Sequence, residues 1–155
     1  KVKILLPTIL PPHRHILLVF ITYYYYFLLI YLLKILFINM KVKVNENIFN
    51  VKTLIDEHSQ RVGMTGKEFD ETFDGLLFLM GGNKQCFWML DCITNLDIII
   101  IKNNVIVNIH HNCPPCDDEY DCTSYCGNGN IVLELEGGSC EDLGIEPGDT
   151  VEYLF

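Results

Sequence analysis

Four isoleucines in a row, Ile98 to Ile101, constrain this chain more than any other stretch. β-Branched residues favour extended backbone and successive strand side chains point to opposite faces, so an unbroken apolar run predicts a strand buried on both sides. Leu96 opens the run. After Lys102-Asn103-Asn104 the β-branched segment Val105 to Ile109 follows, which predicts an antiparallel hairpin with a polar connection.

The neighbouring segments repeat the theme. Lys41 to Val44 and Ile48 to Val51 flank Asn45-Glu46-Asn47 and read as an opening hairpin. Leu76 to Met80, the break Gly81-Gly82-Asn83 and Cys86 to Met89 read as another. Ile55 to Met64 is weakly helical. Ile131 to Glu136 alternates, which puts Leu133 and Leu135 inward and Glu134 and Glu136 outward. Glu146-Pro147-Gly148-Asp149 has the residues of a type II turn before the closing strand Val151 to Phe155. Short strands at this spacing predict a mostly β domain, a small antiparallel barrel or sandwich with one or two short helices.

That domain occupies residues 40–155. Residues 1–39 contain no Asp or Glu, and Ile16 to Phe37 is apolar or tyrosine-rich apart from Thr22 and Lys34, long enough to cross a bilayer core as a helix. Two readings stand for this hydrophobic segment: a membrane anchor acting through residues 16–37, or non-native upstream read-through ahead of Met40. The first makes the domain anchored or exported and the second makes it cytoplasmic. All 20 acidic residues lie in residues 40–155 beside only seven Lys and Arg, an excess of 13 negative charges. Nucleic-acid affinity comes largely from basic side chains displacing counterions, so nucleic acid is not an expected partner. Cations are favoured.

Phe87-Trp88-Met89, Leu96-Asp97-Ile98, Val132-Leu133-Glu134 and Gly144-Ile145 with Gly148-Asp149 occur in an order and at spacings that resemble the bacterial and archaeal family called domain of unknown function 192. Gly75-Leu76-Leu77-Phe78 and Arg61 fit the same pattern, and the resemblance spans about Val44 to Val151. Leu90, Asp91 and Cys92 stand where that family usually has Lys-Asn-Thr, and Asn95 where it has Pro. The resemblance implies a compact β-rich domain, often in exported or membrane-tethered proteins, and no established reaction.

Cys113, Cys116, Cys122 and Cys126 crowd a loop with few aliphatic residues, which something must hold in place. Four thiolates on a zinc ion, with His110 or His111 as substitute for one of them, would do so, and so would two disulfides. Cys113-Pro114-Pro115-Cys116 has the form of a redox pair, although acids follow it where a helix amino terminus is needed. Asp97, Glu134 and Asp149 form a candidate acidic site for a cation or for acid-base chemistry, and Trp88 could stack on a ligand. Three functions follow. The leading one is a non-catalytic binding or structural module whose loop is stapled by metal or disulfides. The second is a cation-dependent, hydrolase-like enzyme built on the three acids, and the third a thiol redox protein using Cys113 and Cys116.

Overall fold

The structure, a computed structural model, describes residues 21–30, 32 and 40–154. The chain divides into two units, Lys1–Ile35 and Leu36–Phe155. In the first, residues 21–30 and 32 are helical. The remainder of the expected 16–37 span lies outside the described residues, and among those described no helix is long and apolar enough to cross a membrane.

The second unit is built on nine strands: β1 Lys41–Val44, β2 Asn47–Leu54, β3 Gly75–Leu79, β4 Lys84–Phe87, β5 Leu96–Lys102, β6 Val105–Cys113, β7 Tyr125–Asn128, β8 Ile131–Glu136 and β9 Val151–Leu154. Two short helices, α1 Glu57–Val62 and α2 Ser139–Leu143, complete it. Seven strands form one sheet in the order β6-β5-β8-β3-β2-β1-β9, and β4 with β7 makes a separate ribbon. The edges of the large sheet meet at a bridge between Val105 and Thr150, so the sheet curls most of the way into a barrel. The mostly β expectation holds, with one departure from an antiparallel sheet: β2 and β3 run parallel. Parallel neighbours need a long crossover, and residues 55–74, carrying α1, supply it over one face of the sheet.

Turn chemistry sets the hairpins. Asn45 joins β1 to β2 with φ +54, and Asn103 and Asn104 join β5 to β6 with φ +53 and +61, a conformation that asparagine tolerates and that matches strand twist. The 146–149 turn forms as expected, with Gly148 at φ +106 and the Asp149 N–H bonded to the Glu146 carbonyl at 3.1 Å. The expected hairpin of β3 with β4 does not form. Both edges of β3 are already taken, by β2 and β8, so the chain after Gly81-Gly82 turns away and β4 pairs with β7.

Ile98 to Ile101 are wholly buried, as the run requires. Ile99 and Ile101 join Leu77, Leu133, Leu135, Val42 and Val51 on one face of the sheet, while Ile98 and Ile100 join Leu76, Phe78, Val132, Met64 and Met89 on the other. At about 1.5–3 kcal/mol for each isoleucine side chain removed from water, this strand is a principal source of cohesion. The second face, under the crossover and the β4–β7 ribbon, is where a cavity opens.

Candidate functional site

A cavity of about 330 Å³ lies between α1 and its exit (Gln60, Arg61, Met64), strands β3 and β8 (Phe78, Glu134), and the end of β4 with the segment after it (Phe87, Trp88, Cys92). Its walls are set by the fold. Asp56 caps α1 by accepting the Ser59 N–H at 2.9 Å, and Gln60 fixes the helix to the sheet by donating to the carbonyls of Leu54 and Leu79 at 3.0 and 2.8 Å. Phe78 and Phe87 meet edge to face with centroids 5.0 Å apart. The wall at Leu90 to Cys92 is suspended from both sides: the Asp91 carbonyl accepts the Gly66 N–H, and the Asp91 N–H donates to the Cys116 carbonyl, both at 2.9 Å. Trp88 is half exposed, and the Arg61–Glu57 ion pair of 2.7 Å lines the same cavity.

Glu134 gives the cavity its chemistry. It was expected on the outward phase of its strand, and the structure corrects this: β8 lies in the middle of the sheet with a packed layer on either side, so both phases are interior. Glu134 is 5% exposed and its Oε2 is buried with no hydrogen-bond partner. Burial alone pushes its carboxyl from 4.5 up to about 8, because ionisation there forfeits hydration without a counter-charge. Burial, then the charges of Glu134 and Asp91, push the Cys92 thiol up to about 11, so Cys92 is no nucleophile near neutral pH.

The three sequence-singled acids do not share a site. Residues opposite one another in antiparallel strands share a face, and the register sets Ile98 against Glu134 and Asp97 against Leu135. Asp97 and Glu134 therefore project to opposite sides of the sheet. Asp97 is fully buried and its carboxylate accepts the N–H groups of Asn112, Gly138 and Cys140 at 2.6, 3.1 and 2.7 Å. Asp149 serves its own turn, accepting the Glu146 N–H at 2.9 Å and the Asn45 amide at 2.8 Å.

Nor do Cys113, Cys116, Cys122 and Cys126 converge. Cys116 and Cys122 form one disulfide, while Cys126 pairs with Cys86 across the β4–β7 ribbon. A four-thiolate metal centre is thereby replaced by two covalent staples, and the local acids Asp117, Asp118, Glu119 and Asp121 make the neutral staple the better electrostatic choice. Cys113 packs in the core, and burial followed by the charge of Asp97 pushes its thiol up to about 11. That is the reverse of what a redox nucleophile requires. The disulfide role of Cys86 carried no signal in its spacing, since its partner is 40 residues away.

The comparisons with known proteins supply a family through its sequence model and say little of chemistry. The sequence model of domain of unknown function 192, described as "Uncharacterized ACR", matches residues 33–153. No curated protein matches. Among solved structures the chain is similar to a protein of unknown function from Novosphingobium aromaticivorans DSM 12444, with 29% identity, 73% of this chain and 82% of that one covered, and a TM-score of 0.62. It is also similar to a candidate transcription regulator from Sinorhizobium meliloti 1021, with 24% identity, 74% and 91% covered, and a TM-score of 0.64, a likeness of fold alone.

Proposed function

The chain belongs to the domain of unknown function 192 family, and on that premise we propose that it is a non-catalytic binding module whose cavity takes a small organic cation with an apolar body. The observation that carries the reading is the unpartnered Oε2 of the buried Glu134 in a cavity walled by aromatic side chains. A bound ammonium group supplies the counter-charge the carboxylate lacks. Phe78, Phe87 and Trp88 in the cavity lining offer apolar contact to the body of such a ligand. The acidic surface favours cations by long-range attraction, and the two disulfides hold the ribbon and loop against which the Trp88 wall rests. Two further features argue against an enzyme: burial pushes the Cys92 thiol of the cavity wall up to about 11, and Asp97 and Asp149 are engaged elsewhere.

Titration calorimetry with phenethylamine and its neutral counterpart phenethyl alcohol tests this. The amine is expected to bind at least about 10-fold more tightly, a difference of about 1.4 kcal/mol. Its affinity should rise from about pH 6 to about pH 8 and then level, because ionising Glu134 creates the binding charge while the amine stays protonated. Glu134→Gln should abolish both the preference and the slope. Equal binding of the alcohol, or affinity that falls over the same range, would mean that a neutral Glu134 donates a hydrogen bond and would overturn the cation reading.

A further inference from the structure

On the opposite face of the sheet from the cavity, the ligand atoms of Asp97, His111 and Cys140 lie within 4.8 Å of one another. Three elements deliver them. Asp97 is on β5, Cys140 is in the first turn of α2, and His111 is near the end of β6. The β5–β6 register shifts between Leu96 and Ile98, so that Asp97 faces an irregular stretch of β6 holding His111 and Asn112. Asn112 adopts φ +49 and gives its N–H to the Asp97 carboxylate, and a bulge of this kind re-aims the preceding side chain. Asn112 is fixed in turn. Its Oδ1 accepts from the Asn95 amide at 2.9 Å, in a space so close to Gly137 that a Cβ there would stand 2.6 Å from the same oxygen.

We infer that Asp97, His111 and Cys140 form a three-ligand site for a borderline divalent metal ion such as zinc, with a fourth, solvent position on the exposed His111 side. Thiolate, imidazole and carboxylate suit such an ion, and three protein ligands with one open position is a common zinc arrangement. One thiolate and one carboxylate with a neutral imidazole balance a double positive charge, whereas four thiolates would leave it two charges in excess. Tetrahedral ligation needs the ligand atoms about 3.5 Å apart, so separations of up to 4.8 Å must close by up to about 1.3 Å, a movement the exposed His111 side chain can make. Asp97 is already oriented by three backbone N–H groups, two on Oδ1 and one on Oδ2, which leaves Oδ2 a lone pair for the metal. Metal entry displaces the Cys140 thiol proton to solvent, and the metal then takes the place of that proton between sulfur and Asp97. Neither of the two disulfides takes part.

Cobalt is the probe, because its thiolate charge-transfer and ligand-field bands report sulfur ligation directly. The full chain, purified without chelators and with its disulfides intact, should bind one cobalt per chain with a near-ultraviolet thiolate band, and added zinc should erase that spectrum. Cys140 is buried and its replacement threatens folding, so the decisive variant is His111→Ala at an exposed position, with unchanged circular dichroism as the control. Losing a direct ligand should weaken cobalt binding by at least the roughly 10–100-fold that loss of an outer partner costs. Failure to bind, or a thiolate band whose affinity is unchanged in His111→Ala, would overturn the site, the second outcome assigning the metal to Cys92 or Cys113. Amine binding in the Glu134 cavity is unaffected by any of these results.

Discussion

The proton on Glu134 is where one residue governs the stability of the domain. Its carboxyl titrates at about 8 in the folded chain against an ordinary 4.5, so between these values the folded state holds a proton that the unfolded state has lost. The native state binds more protons in that window, and stability therefore falls as pH rises through it, by at most about 1.4 kcal/mol per pH unit, and levels above it. Glu134→Gln should remove this slope and leave only a pH-independent offset from the buried amide. Urea midpoints of both proteins at intervals from pH 5 to about pH 9 check it; parallel curves would show that Glu134 carries its charge in the folded state after all. The sequence made Glu134 legible as a candidate and misplaced its side chain. Val132-Leu133-Glu134-Leu135-Glu136 alternates as a half-exposed strand does, and only the position of β8 between β3 and β5, with packing on both faces, turns the polar phase inward. Asp97 was legible as a candidate too, yet its carboxylate is spent on three backbone N–H groups rather than shared with Glu134.

Among the elements, the β4–β7 ribbon, whose Cys86 and Phe87 line the cavity, was the least readable. Its hairpin-like neighbours in sequence pointed β4 to β3, because local pattern says nothing of whether a strand's edges are already occupied. The glycines that follow Cys126 mark how closely the chain here lies on β5. A Cβ at Gly129 would stand 2.5 Å from the Ile101 carbonyl oxygen, and one at Gly127 would stand 2.7 Å from Ile100 Cγ1. Gly129→Ala is expected to cost about 1–3 kcal/mol by overpacking. Gly81→Ala, with nothing within 4 Å and no positive φ, should be neutral or slightly stabilising. Thermal melts of the pair distinguish contact from composition: equal melting temperatures would deny that the ribbon packs as described. The covalent staple on the same ribbon closes a 40-residue separation, for which the chain-entropy argument gives on the order of 4 kcal/mol, against roughly 2 kcal/mol for the 6-residue separation of Cys116 and Cys122. Cys86→Ser with Cys126→Ser should thus lower the urea midpoint more than Cys116→Ser with Cys122→Ser. The reverse order would mean that the short staple, through its backbone bonds to Met89 and Asp91, carries the Trp88 wall.

Over the whole of residues 40–155 the dominant fact is charge, and it was readable from composition alone: 20 acidic residues against seven basic. Among the described residues only two ion pairs form, Lys43–Glu152 at 3.4 Å and Arg61–Glu57 at 2.7 Å, and exposed pairs contribute little. The remaining acids repel one another across a compact surface, so the folded state suffers more self-repulsion than the expanded unfolded chain. Sodium chloride should stabilise the domain as the screening length contracts from about 30 Å at 0.01 M to about 3 Å at 1 M. Relief of roughly 1 kcal/mol would raise the melting temperature by about 4 °C for a domain near this size. Acid pH relieves the same repulsion by neutralising carboxylates, and so acts in the same direction as protonation of Glu134. Salt separates the two contributions. Added salt should flatten the pH dependence that comes from surface repulsion and leave the dependence that comes from burial, because Glu134 titrates high through desolvation, which salt does not screen. If salt erases the whole of the pH dependence in the wild-type chain, the high titration of Glu134 is a surface-field effect rather than burial, and the cavity loses the feature on which cation recognition depends.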